Sequence, residues 1–157
     1  MSYVQELIRN EPGVAHHLYM TPERRIYKQT KVKLAAYHGD LDNYLTKGQL
    51  DMARTYGLLP SSFNVHHIIP LCCQNTQFDC QNLAICSRDF HEWLHKFVYE
   101  PVLSKMQYGD KVHLVLPDWK PVNTMQNIDS KFKQFYEGLK NGHYKDVKYF
   151  NIERVRD

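Results

Sequence analysis

Residues 64–96, NVHHIIPLCCQNTQFDCQNLAICSRDFHEWLHK, decide how this chain is read. They hold four of the nine histidines and all four cysteines. The pattern FNVHHII (63–69) predicts a strand, NLAIC (82–86) a second one, and PLCCQNTQFDCQ between them a loop. Ser87 is placed to cap a helix from Arg88 to about Tyr99, with Asp89 in its first turn. His91 and His95 then project one above the other from one helix face. Two imidazoles at i and i+4 supply two ligands for a divalent ion from one rigid element, at about 2.0–2.2 Å each. Neighbouring side chains on a strand point to opposite faces, so His66 and His67 cannot share one role. If one of the pair binds a metal, the other is left for proton transfer.

This order, His66-His67, Asn82, then His91 and His95, resembles the HNH nucleases of the ββα-metal group, and most closely the colicin-type DNases. The resemblance covers about a fifth of the chain. It implies an α+β fold with a ββα-metal core. It also implies His66, His91 and His95 as metal ligands, His67 as general base, and Asn82 as the residue that steadies His67 and its loop. The implied reaction is phosphodiester hydrolysis that leaves a 5′ phosphate, with the metal stabilising charge that develops in the transition state. A histidine suits the base because its ordinary pKa of about 6.5 keeps it neutral at cellular pH. Many HNH enzymes carry an acid where His66 stands, whereas this site is all imidazole, a set that favours Zn²⁺, Ni²⁺, Co²⁺ or Mn²⁺. Mg²⁺ can still support turnover, bound weakly with several waters.

Residues 91–95, HEWLH, also match the H-E-x-x-H pattern of zinc metalloproteases, with Glu92 as base and Glu100, Glu137 or His143 as a third ligand. That reading leaves His66-His67 and Asn82 without a role, and the nuclease reading uses all five positions. A noncatalytic nucleic-acid-binding module stapled by its metal is the other alternative. Cys72, Cys73, Cys80 and Cys86 lack the paired C-x-x-C spacing of a structural zinc site and are read as reduced thiols. Phe90, Trp93 and Leu94 are read as packing groups.

The composition, 43% apolar and 24% charged residues, is that of a folded chain, and 157 residues suit one domain. A chain of that size buries roughly 68–70% of its unfolded surface. The N-terminus MSYVQELIRNEPG lacks an apolar signal core and no apolar run reaches a membrane span, which predicts a cytoplasmic start; export without a cleaved signal stays compatible. Net charge is +3. Residues 61–100 hold two Lys and Arg against four acids, while 1–60 hold eight against six and 101–157 ten against seven. The flanks must therefore supply any phosphate-binding surface. Arg24, Arg25, Lys28 and Lys31 before the motif, and Lys131 and Lys133 after it, are the candidate contacts. The expected partner is DNA in preference to RNA, read with low sequence specificity. A toxin, phage or mobile-element enzyme and a defence component all fit, and a toxin would need an acidic immunity protein.

Outside the motif, residues 1–60 are expected to be helical support. Ser2 starts a short helix with Val4, Leu7 and Ile8 on one face, Thr21-Pro22-Glu23 begins a second to about Tyr37, and Thr46 a third ending at Gly57. In the 101–157 extension, Pro101 restarts a helix through Met106, and KVHLVL (111–116) is a strand with His113 on its exposed side. Residues 127–141 form an amphipathic helix ended by Gly142, and 147–152 a final short strand.

Overall fold

The computed structural model describes residues 2–74 and 79–154. Its first element corrects the sequence reading, because Ser2–Ile8 is a strand (β1) and not a helix. Val4 is exposed while Leu7 is fully buried, so the apolar set does not share a helical face. A helix this short has no stability of its own. Pairing wins: all seven residues lie antiparallel to Lys111–Pro117 (β4), from Ser2 opposite Pro117 to Ile8 opposite Lys111.

A short helix α1 (Val14–Tyr19) follows, then α2 (Pro22–Tyr37) and α3 (Lys47–Tyr56) as their start signals predict. Thr46 and Gln49 form a reciprocal capping box on α3. At the other end Gly57 has φ 67°, and a Cβ there would overlap the Gln29 carbonyl, so α2 and α3 can meet only at a glycine.

Strands β2 (Phe63–His67) and β3 (Leu83–Ser87) form an antiparallel hairpin with His66 opposite Ala84 and His67 opposite Leu83. The loop that joins them is described except for residues 75–78, which lie outside the described residues. Ser87 accepts the Phe90 amide and starts α4 (Arg88–Trp93). Helical dihedrals then continue without a break through a π-helical turn (Leu94–Tyr99) into α5 (Glu100–Leu103). Pro101 was expected to restart a helix; instead the helix runs through it. A proline inside a helix removes a donor and crowds the carbonyl four residues back. Here that carbonyl, Phe97 O, accepts from the Tyr149 hydroxyl at 3.1 Å, as does Val98 O.

β4 (Lys111–Pro117) buries Val112, Leu114 and Leu116 and turns His113 toward Glu6 and Glu153, as its alternation predicts. After α6 (Pro121–Thr124) comes α7 (Ser130–Lys140), which begins three residues later than expected. Asp129 caps it by accepting the Lys131 amide, and the Ile128 amide is already given to Asp89. Gly142 ends it at φ 71°. β5 (Phe150–Glu153) pairs with β4, so the second sheet has the order β1-β4-β5.

The fold is α+β with two small antiparallel sheets. The β2–β3 hairpin is a layer between two cores. Phe63, Val65 and Ile85 pack against Val32, Ala35 and Ala36 of α2, along with Ala53 of α3. Ala84 and Cys86 face the other way, onto Phe90, Leu94, Val98 and Tyr99 and the three-stranded sheet. No described helix is long and apolar enough to cross a membrane.

Candidate metal centre

His66 sits on the strand face that meets the helix of residues 88–103, and it is fully buried. Its ring centroid lies 5.1 Å from that of His91 and 5.2 Å from that of His95. The Nε2 atoms of His91 and His95 are 3.0 Å apart. One ring nitrogen from each of the three residues lies within 4.8 Å of the other two, and among the described residues this is the one such group of possible metal ligands.

Tyr99 decides which nitrogen of His66 is available. Its hydroxyl donates to Ile68 O at 2.8 Å and stands 3.1 Å from His66 Nε2. Having spent its proton on the carbonyl, the hydroxyl can only accept from Nε2–H. The tautomer is thereby fixed with the lone pair on Nδ1, a buried atom with no hydrogen-bond partner. An orphaned imidazole nitrogen beside two further imidazoles fits a cation better than any protein group.

The π turn contributes to this alignment. In an α-helix each four-residue step overshoots a full turn by about 40°, so His91, His95 and Tyr99 would drift around the axis. The wider π turn cancels the drift and keeps Tyr99 beneath the histidines, and such turns recur at functional sites. The sequence reading missed Tyr99, although 91, 95 and 99 continue one spacing. It also missed Asn64, whose side-chain amide is 3.2 Å from His91 Nδ1. Asn64 precedes His66 by two residues on a strand and so shares its face. An imidazole that presents Nε2 to a cation carries its proton on Nδ1, and the Asn64 carboxamide, turned to offer Oδ1, accepts it.

His67 points to the opposite hairpin face, toward α2. Its Nε2 is buried without a hydrogen-bond partner. Burial first, then Lys28, Arg24, His91 and His95, push its pKa down to about 4. Burial and the His95 and Lys28 charges likewise bring His91 to about 4. His66 falls well below 6.5, chiefly by burial, and His95 falls too, with Glu100 opposing. All four rings are therefore neutral at pH 7, the state a metal ligand or a proton acceptor requires.

Asn82 is buried and clamps the chain just past His67. Its Oδ1 accepts the Ile69 amide at 2.8 Å, its Nδ2 donates to Ile69 O at 3.0 Å, and its own carbonyl takes the Ile68 amide. Among the described residues no hydrogen bond joins it to the His67 ring. It holds the loop, and it acts on His67 through the backbone alone.

The six basic candidates divide. Arg24 and Lys28 are half-buried on the α2 face that looks onto the histidines, and Lys28 is lowered to about 8 by burial and by Arg24. With Arg25 they line an open groove of about 320 Å³ that also borders residues 63–65 of β2. Lys31 turns into a separate cavity with Leu83 and Trp119. Lys131 and Lys133 are exposed on α7, and among the described residues no interaction links either to the histidine cluster; Lys131 instead lines a cavity of about 510 Å³ with Phe90, Phe132 and Phe135. Glu92 pairs with Arg88 at 3.1 Å on an exposed surface.

Comparison with protein-family models, with curated proteins and with solved structures found no match.

Proposed function

We propose that this chain is a metal-dependent phosphodiesterase of the HNH, ββα-metal class. Within that class it is an endonuclease that cuts DNA with low sequence specificity. The observation that carries the reading is the pairing of two unlike faces on one hairpin. Three neutral imidazoles converge on the His66 side, with an orphaned nitrogen among them, and an unpartnered imidazole nitrogen lies under Lys28 and Arg24 on the His67 side.

His66, through Nδ1, and His91 and His95 would hold one divalent ion, Zn²⁺, Ni²⁺, Co²⁺ or Mn²⁺ by donor type, or Mg²⁺ more weakly. Such an ion supplies Lewis-acid stabilisation of charge developing on the phosphate and its leaving oxygen. The chain supplies the rest. Arg24, Arg25 and Lys28 draw a phosphodiester backbone along the groove beside β2. An incoming phosphate offsets the charges that depress His67, so the base strengthens when substrate arrives. Neutral His67 then takes a proton from attacking water, while Asn82 holds the loop that follows it. A protease reading would need Glu92 as base, and Glu92 is engaged with Arg88 at the surface.

Nicking of supercoiled plasmid, with casein digestion alongside, tests this reading. The expected result is nicking that stops in excess EDTA, returns with added divalent ion and survives Glu92→Gln. Undiminished nicking in EDTA would sink the mechanism. Casein cleavage lost with Glu92→Gln would establish the protease instead.

A further inference from the structure

We propose that Cys72 and Cys73 are a reversible oxidation site, a thiol pair that a peroxide closes to a disulfide and a thiol reductant reopens. The proposal does not depend on the nuclease reading.

Four cysteines are reduced, and only these two thiols meet: their sulfurs are 3.8 Å apart, Cys72 half-exposed and Cys73 buried. The two play different parts. The thiol contact with Cys73, opposed by partial burial and helped by Arg9, holds Cys72 below the usual thiol range and favours its thiolate. That same contact, with burial, raises Cys73, which stays protonated as the donor. A partly exposed, low-pKa thiolate beside a second cysteine is the arrangement of a redox-sensing thiol with its resolving partner.

The chemistry balances with a peroxide as oxidant. The Cys72 thiolate attacks one peroxide oxygen, the O–O bond breaks, hydroxide leaves, and Cys72 becomes a sulfenic acid. Cys73 sulfur then attacks Cys72 sulfur, the S–O bond breaks, and the Cys73 proton leaves with the departing oxygen as water. Two electrons and two hydrogens have left the pair. Reduction by two thiols returns both.

The bond so formed would be labile rather than structural. Neighbouring Cα atoms across a trans peptide are about 3.8 Å apart, shorter than the roughly 4.4–6.8 Å that disulfides favour, so closure stores strain. Strained disulfides are the readily reduced ones. The strain has a defined place to go. Cys72 O accepts the Asn10 amide at 2.8 Å, Cys73 O accepts Asn10 Nδ2 at 2.6 Å, and the next amide, Gln74 N, donates to Ile8 O at 3.1 Å. These bonds tie the β2–β3 loop to the end of β1, and ring closure must turn the carbonyl that takes part in the first of them.

The test is peptide mapping of the intact protein after brief exposure to hydrogen peroxide, with alkylation of remaining thiols. The expected product is a monomer whose peptide spanning 72 and 73 has lost two hydrogens, takes up no alkyl group, and is restored by reduced glutathione. With Cys73→Ala, Cys72 should stop at a sulfenic acid trapped by dimedone. With Cys72→Ser, a half-exposed change suited to the case where the alanine variant fails to fold, the loss of two hydrogens should vanish. A peptide that keeps both thiols while Cys80 oxidises would overturn the proposal, as would Cys72 advancing to sulfinic acid beside an alkylatable Cys73. A product that glutathione cannot reopen would overturn its reversibility.

Discussion

The two faces of the β2–β3 hairpin differ in what each can hold. On the His66 face three imidazoles are packed against Tyr99 and the helix of residues 88–103, and the His66 Nδ1 lone pair is buried without a partner beside the other two rings, an environment for a cation. On the His67 face the charges that act on the ring include Lys28 and Arg24, which also line an open groove along β2, an environment for an anion. One residue of register separates the two, because a strand alternates its side chains. A doublet of histidines is thus the shortest way to place a metal ligand and a base on opposite sides of one backbone.

Changes confined to one face should leave binding at the other intact, and the largest effect on binding is expected on the cation side. Tyr99→Phe frees the His66 tautomer, and loss of such a supporting hydrogen bond lowers metal affinity by about 10–100-fold. Metal titration followed by calorimetry reads this directly, and an unchanged affinity would remove Tyr99 from the account. On the anion side, Lys28→Ala should weaken DNA binding by about tenfold and reduce the log–log salt slope by about 1. Fluorescence anisotropy across a salt series measures both quantities. Lys131→Ala with Lys133→Ala belongs to neither face, and the same experiment should find binding within about twofold of the parent.

Acid should act on both faces together. His66, His67, His91 and His95 all have folded-state pKa values below 6.5, so between that value and about 4 the unfolded chain binds more protons than the folded one. The histidine contribution to stability is complete above pH 6.5 and is lost as pH falls toward 4. Urea midpoints of metal-free protein should therefore decline steadily across that window, and a flat profile would mean the rings are solvated.

Much of this site was legible in the residues. The strand-loop-strand-helix order, the Ser87 cap and the i, i+4 histidines come from local rules, and the structure has them. The helix expected at Ser2 failed because its competitor, β4, lies more than a hundred residues away and no local pattern announces the pairing. Pro101 misled for a related reason: the carbonyl four residues before it, Phe97 O, is satisfied by Tyr149, distant in sequence. The basic residues were indistinguishable as composition. What separates Lys28 from Lys131 is that Val32, Ala35 and Ala36 seat α2 on the hairpin, whereas α7 is seated by Tyr136 and Leu139 in the other core.

In the proposed mechanism metal holding and proton transfer belong to different histidines of the doublet. This division is tested most directly by plasmid nicking with His67→Ala set beside wild type, at matched metal occupancy. The variant is expected to bind one divalent ion per chain as wild type does and to lose about 10²–10⁴-fold in cleavage rate. A variant that keeps its metal and cuts at the wild-type rate would contradict it.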